Sequence, residues 1–208
     1  MKILISLILF TSVFAQTNEV DKSSKWGVYA GYQSLQISGI EDDASEDELN
    51  SFSTERLGSY YIGLWRNTDW KIGSLPLTVG AELGHRGTTS KFDAEFPDGG
   101  SIDLKADILI TYLDLWISAN YAMSEKFNLG FGPMLGIHLD DEIKFFGLDV
   151  SQDSNLDSGF DENDYGFLIG AGYSNSEQMS VNAGVYKGLM DHNGGKFNNF
   201  FIDLGYSF

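Results

Sequence analysis

From Trp26 onward the chain alternates. In successive short stretches one parity is apolar and the other small or polar, the period of two that marks a sheet with two different faces. The apolar parity runs Val28, Ala30, Tyr32; Tyr60, Ile62, Leu64; Leu77, Val79, Ala81, Leu83; Leu113, Leu115, Ile117, Ala119, Tyr121; Leu129, Phe131, Leu135, Ile137; Tyr165, Phe167, Ile169, Ala171, Tyr173; Val181, Ala183, Val185; and Phe200, Ile202, Leu204, Tyr206, Phe208. These stretches predict eight antiparallel strands. The opposite parity carries Tyr29, Gln33, Tyr61, Thr78, Glu82, Arg86, Tyr112, Asp114, Trp116, Asn128, His138, Asn182, Tyr186, Asn199 and Asp203, with many glycines between.

Alternation alone does not say which face is outside, but three further features point to lipid against the apolar parity. Aromatic residues gather at strand ends (Trp26, Tyr32, Trp65, Trp70, Tyr121, Phe127, Tyr165, Tyr173, Phe200 and Phe208), where a membrane-interface girdle sits. Predicted connections alternate in length. Short ones fall near Asn67 to Ser74, Ala122 to Lys126 and Asn175 to Gln178; longer ones fall near Ser38 to Glu55, Gly87 to Ile102, Leu139 to Asn163 and Met190 to Asn198. Short periplasmic turns and long outer loops are the asymmetry of outer-membrane barrels. Finally, the chain ends on an apolar strand, Tyr206-Ser207-Phe208. The expected fold is all-β, an eight-stranded antiparallel up-and-down transmembrane barrel over residues 26–208.

The N-terminus changes the picture by adding an address. Lys2, the apolar run Ile3 to Phe14, and Val13 and Ala15 before Gln16 form a secretory leader, so residues 1–15 are expected to be a cleaved signal peptide and 16–25 a short lead-in. No later stretch approaches the ~18 consecutive apolar residues a helical span needs. The 24 glycines, 3 prolines and absence of cysteine fit strands and turns held by a closed sheet rather than by disulfides. A formal charge of −17, one unit more negative once Lys2 is removed, argues against nucleic-acid binding, which needs clustered cations.

Several segments together resemble a known family. They are Leu77-Thr-Val-Gly-Ala-Glu-Leu-Gly-His-Arg-Gly87, Ile110-Thr-Tyr-Leu-Asp-Leu-Trp116, Leu129-Gly-Phe-Gly-Pro-Met-Leu-Gly136, Asp164-Tyr-Gly166 and Tyr186-Lys-Gly-Leu189. Their order and spacing from Trp26 to Phe208 resemble the porin-T-like outer-membrane β-barrels, with Trp116 where that family usually has proline. The terminus is similar to the aromatic signal read by the barrel-assembly machinery, with Phe208 last and Tyr206 two before it, and Asp203 where glycine is usual. The resemblance implies a fold and a membrane, and no reaction.

Candidate chemistry lies in two places. Glu82, Asp114 and Asp203 share the inward parity with Arg86 and His138, placing charges of both signs in a lumen that eight strands leave just wide enough for side chains. Buried charges must be paired, so a polar plug with Arg86 neutralising Glu82 or Asp114 is expected ahead of a gated ion path. The second place is the outer loops, which hold Glu41, Asp42, Asp43, Glu46, Asp47 and Glu48, then Asp140 to Asp164. Within the latter, Asp153, Asn155, Asp157, Asp161 and Asp164 put oxygen ligands at alternate positions with a carboxylate at the twelfth, as in a calcium loop. Its glycine falls at the seventh place rather than the sixth and its last carboxylate is Asp rather than Glu, so loose cation binding is expected ahead of a specific calcium site. No other cofactor is expected.

Catalysis finds no footing. There is no cysteine and no Gly-x-Ser-x-Gly elbow, and His85, His138 and His192 lie on separate strands or loops. His192 beside Asp191 is the nearest approach and reads as an exposed loop histidine. No paired histidines suggest zinc, and Lys187, Arg56 and Arg66 at strand ends read as headgroup anchors. The function expected is that of a non-enzymatic integral outer-membrane protein with a structural or surface-contact role, meeting outer-membrane lipid and lipopolysaccharide. Its rivals are a narrow channel or transporter for small solutes or apolar molecules, and a soluble secreted ligand-binding barrel.

Overall fold

The computed structural model describes residues 26–38, 50–95, 101–145, 148–149, 162–175, 178–192 and 195–208. Among them eight long strands form one antiparallel sheet: β1 (Trp26–Ser38), β2 (Asn50–Ile72), β3 (Leu75–Glu95), β4 (Ser101–Ala122), β5 (Phe127–Phe145), β6 (Asp164–Ser174), β7 (Met179–Gly188) and β8 (Lys196–Ser207). Each strand pairs with the next in sequence, and β1 pairs with β8, so the sheet closes and leaves no edge in the membrane-spanning wall. Leu148–Asp149 adds a two-residue bridge to the end of β5. No helix occurs among the described residues.

The two parities part as the alternation requires. Tyr60 is 76% exposed, Leu204 61% and Ile169 59%, whereas Tyr61 is 5% exposed, Asp114 1% and Arg86 0%. An apolar exterior around a polar interior is stable only with lipid outside, since in water that surface would drive association. Exposed rings cluster at two heights: Tyr32 beside Tyr60 (centroids 5.7 Å apart) with Tyr165 and Phe200 at one, Phe127 beside Tyr173 (4.8 Å) with Tyr121 and Tyr206 at the other. They are the two girdles of a membrane barrel.

Inward aromatic rings explain many of the glycines. In register, Gly27 faces Trp65, Tyr29 faces Gly63, Gly31 faces Tyr61, Gly80 faces Trp116, Gly84 faces Tyr112 and Gly184 faces Phe201. At Gly27, Gly31, Gly63, Gly80 and Gly184 a Cβ would collide with the facing ring. Each ring thus lies flat over its neighbour's bare backbone, which lets large side chains fit a narrow barrel.

Two expectations are corrected. Trp65, assigned to the outer girdle, points inward over Gly27, because it follows Leu64 on the lipid parity of β2. Several predicted loops are strand. The short turn expected over Asn67 to Ser74 shrinks to Gly73-Ser74, where Gly73 adopts φ 61° and turns the hairpin in a backbone region that L side chains avoid. At the other end β2, β3, β4 and β5 run to 23, 21, 22 and 19 residues, while β6, β7 and β8 have 11, 10 and 12. A tilted strand crosses a bilayer in about 9–11 residues. The longer strands therefore continue outward as a four-stranded wall, which polar sequence alone had presented as loop.

Candidate functional site in the barrel lumen

The strand registers place one cation at the crossing point of four strands. Arg86 on β3 faces Asp114 on β4, Asp164 at the start of β6 and Tyr186 near the end of β7. Its Nη2 donates to Asp114 Oδ1, and its Nη1 donates to Asp164 Oδ2 at 2.7 Å. The Tyr186 hydroxyl donates to that same Asp164 oxygen, also at 2.7 Å. Rings close around the guanidinium: its Cζ lies 4.4 Å from the Tyr112 centroid, 4.9 Å from Tyr186 and 5.8 Å from Phe197. Arginine suits this place because its planar fork serves two carboxylates while its faces stack on aromatic rings.

Around this ion network an apolar layer fills the barrel. Leu35, Ile37, Ile110, Tyr112, Met134, Tyr186 and Phe197 form one buried cluster, with Ile108, Trp116 and Leu168 packed against it. The last connection folds in above it. His192, expected on an exposed loop, is buried, stacked on Phe197 (4.4 Å, 14° between planes), with its Nε2 3.5 Å from Asp164 Oδ1. The correction follows from backbone pairing: His192 and Gly195 exchange hydrogen bonds of 2.7 and 3.1 Å, and this holds the histidine ring over the barrel mouth against Phe197. Gly136 sits beneath the ion pair, where a Cβ would come within 2.7 Å of Asp114 Oδ1 and 3.1 Å of Arg86 Nη2.

The remaining candidate charges lie elsewhere in the lumen. Glu82 is directly cross-strand from Asp114, a like-charge pair whose cost is relieved because Arg86 engages Asp114. Glu82 itself accepts from the Tyr29 hydroxyl at 2.7 Å, and Trp116 Nε1 donates to that hydroxyl at 2.9 Å. Asp203 accepts from Tyr61 at 3.1 Å and from Asn182 at 2.7 Å. His138 stands apart at the outer end, 4.0 Å from Asp141 and edge-on to Tyr112.

Asp153, Asn155, Asp157 and Asp161 lie outside the described residues. Asp164, the twelfth position of that calcium-like spacing, is fully buried on Arg86, Tyr186 and His192. Among the described residues no group of three or more His, Asp or Glu side chains is placed to hold a metal ion. Tyr206 and Phe208 face lipid, and the Phe208 amide donates to the Trp26 carbonyl at 2.9 Å, joining the two ends of the barrel wall.

On the inner side of the plug the lumen opens into a cavity of about 790 Å³. Met134, Leu168, Tyr186 and Trp116 form its ceiling. Its walls carry Tyr29, Tyr61, Glu82, Asp203 and a set of Asn and Ser side chains, and its lower end reaches the short turns at Lys126, Asn175 and Gln178. Gly130, Gly170 and Gly172 line it, so the absence of side chains on β5 and β6 is what leaves the space.

Sequence reasoning missed Asp164, His192 and Phe197 as lumen groups. A signal existed for Asp164: it precedes Tyr165 on the lipid parity of β6, so it must point inward. Phe197 shares the inward parity of β8 with Asn199 and Asp203, so the same alternation carried one step further reaches it; His192 depends on how the last connection folds, which no periodicity encodes.

A closed antiparallel barrel with a lipid-facing apolar exterior defines the class of protein. The chain belongs to the family described as outer membrane protein beta-barrel domain, whose model matches residues 14–193. Solved structures to which it is similar include Neisserial surface protein A (10% identity, covering 91% of this chain and 100% of that one, TM-score 0.47). They also include the attachment invasion locus protein Ail of Yersinia pestis in complex with the heparin analogue sucrose octasulfate (13% identity, 89% and 97% covered, TM-score 0.42). A third is outer membrane protein W of E. coli (15% identity, 91% and 100% covered, TM-score 0.40). No curated protein matches the chain. Family membership places the protein in the bacterial outer membrane.

Proposed function

We propose that this protein is a non-enzymatic integral outer-membrane barrel, closed to solute flow, that serves envelope structure and surface contact through its acidic outer segments. The observation that carries this reading is the plug: Arg86, Asp114, Asp164 and Tyr186 form a bonded layer across the lumen, and Leu35, Ile37, Ile110 and Phe197 fill the space around it. Export by a leader cleaved before Gln16, recognition of Tyr206 and Phe208 by the assembly machinery, and cation-bridged contact of the acidic loops with lipopolysaccharide belong to the same reading. Calcium at Asp153, Asn155, Asp157 and Asp161 would act as such a bridge.

A narrow channel is the second reading, and the inner cavity favours it. Planar-bilayer recording separates the two. The purified protein is expected to give no steady conductance in sodium chloride; a stable conductance would overturn the closed-barrel reading. Protease added to intact cells is expected to cut only in the outer segments. The soluble alternative predicts a mature protein that stays dispersed without detergent, which the exposed Tyr60, Ile169 and Leu204 argue against.

A further inference from the structure

One buried histidine sits where the outer mouth meets the plug. His192 is 2% exposed although it belongs to the connection between β7 and β8. Its amide donates to the Gly195 carbonyl at 2.7 Å, and the Gly195 amide donates back to the His192 carbonyl at 3.1 Å. Its ring stacks on Phe197 at 4.4 Å, and Phe197 belongs to the apolar layer that fills the barrel. Its Nε2 stands 3.5 Å from Asp164 Oδ1, while Arg86 and the Tyr186 hydroxyl occupy the other oxygen of that carboxylate. The connection is thus tied to the plug through one ring.

The charges around that ring decide what a proton on it does. Among the described residues β3 contributes Arg86, β4 Asp114 and Tyr112, β6 Asp164 and β7 Tyr186. Asp191 precedes the ring in the connection itself, and His138 and Asp141 of β5 lie beyond Tyr112. The bonded plug sets one guanidinium against two carboxylates, and Glu82 stands cross-strand from Asp114 on the cavity side. A cationic His192 brings the bonded groups to equal numbers of each sign, the condition under which buried charge is tolerated. Arg86 opposes it from farther off, because the Asp164 carboxylate lies between the two. The 3.5 Å separation exceeds the ~2.7–2.9 Å of a charged hydrogen bond. What the ring gains from Asp164 is therefore mainly attraction between charges, which a neutral imidazole lacks.

We propose that His192 is a proton-operated latch: its imidazolium holds the last connection over the outer face of the plug, and loss of the proton releases it. Acid closes the latch and rising pH opens it. The neutral ring keeps its stack on Phe197 but loses the ionic tie to Asp164, so the connection loosens while Arg86 stays on both carboxylates. The seal beneath is unchanged in either state, so the latch stands or falls apart from the closed-barrel, surface-contact reading.

Full-length mature protein in detergent micelles tests it by hydrogen exchange at the His192 and Gly195 amides, which bond each other's carbonyls. Protection, corrected for the intrinsic effect of pH on exchange, is expected to fall at least about tenfold between about pH 5 and 8. The His192 imidazole resonances should titrate over the same range. His192→Phe keeps a ring on Phe197 without a proton and should give protection that no longer varies with pH, whereas His138→Gln should keep the fall. Folding of each variant is checked by the shifted mobility of the unheated protein on a denaturing gel. Constant protection in the unmodified protein would overturn the latch, as would protection that rises with pH or an unchanged fall in His192→Phe. Loss of the fall in His138→Gln would move the proton to that ring and overturn it too. If His192→Phe does not fold, an imidazole that keeps one protonation state while the amides respond decides against the latch.

Discussion

Arg86 is the residue on which the lumen turns. It is fully buried, bonded to two carboxylates and enclosed by three rings, so its removal leaves Asp114 and Asp164 as uncompensated charges. Breaking a buried network from one side typically costs about 3–5 kcal/mol, whereas neutralising all its members together costs much less. Arg86→Met is therefore expected to lower markedly the temperature at which the folded gel band converts to the unfolded one. Combining it with Asp114→Asn and Asp164→Asn should restore most of the loss. If the triple variant is as unstable as the single, the charges are not what sets the cost. The sequence made Arg86 and Asp114 legible, because both fall on the polar parity of regularly alternating strands. Asp164 was obscured by the acidic run before it, which drew it into a calcium-like spacing. Only its adjacency to Tyr165 reveals the strand.

At the scale of elements, periodicity identified each strand's existence and its lipid face but misjudged where the long ones stop. Alternation is enforced by lipid only across the bilayer. Beyond it no lipid holds one parity apolar, and β2, β3 and β4 continue as sheet through residues whose composition is that of a loop, with Thr54, Thr88, Ser90 and Ala106 buried on one face. Two register shifts, between Leu57 and Tyr61 on β2 and between Thr111 and Tyr112 on β4, fall where the wall leaves the barrel proper. Such bulges change which side chains face inward and are invisible to a strict period of two. If the outer wall is an appendage, shortening it should leave the barrel intact. Phe92 and Leu104 are register partners, so replacing Asp93–Asp103 with a two-residue Asn-Gly turn keeps the ladder in phase. The shortened protein is expected to reach the outer membrane and to unfold within a few degrees of the original. Failure to assemble would make the wall part of the folding unit.

For the whole molecule, the central question is what seals it. A barrel of eight strands has little room, yet here the glycines of β5 and β6 leave an inner cavity, so the seal is confined to one layer near the outer end. That layer has two kinds of material. Arg86 with its carboxylates would be hydrated if the rings around it were cut away, and Phe197 with Leu35 and Ile37 would still exclude ions if only the charges were lost. Neither Arg86→Ala nor Phe197→Ala alone should open a path, because the remaining material still fills the cross-section. The double variant removes both the cation and the ring stacked between it and His192, and should join the cavity to the outer mouth. Planar-bilayer recordings are expected to show no steady conductance for either single variant and a small one for the double. The path would run past Glu82 and Asp203 without Arg86 to offset them, so a potassium chloride gradient should give a reversal potential favouring cations. Anion preference would mean that ions avoid those carboxylates. Full conductance in a single variant would mean that the plug has one working part rather than two.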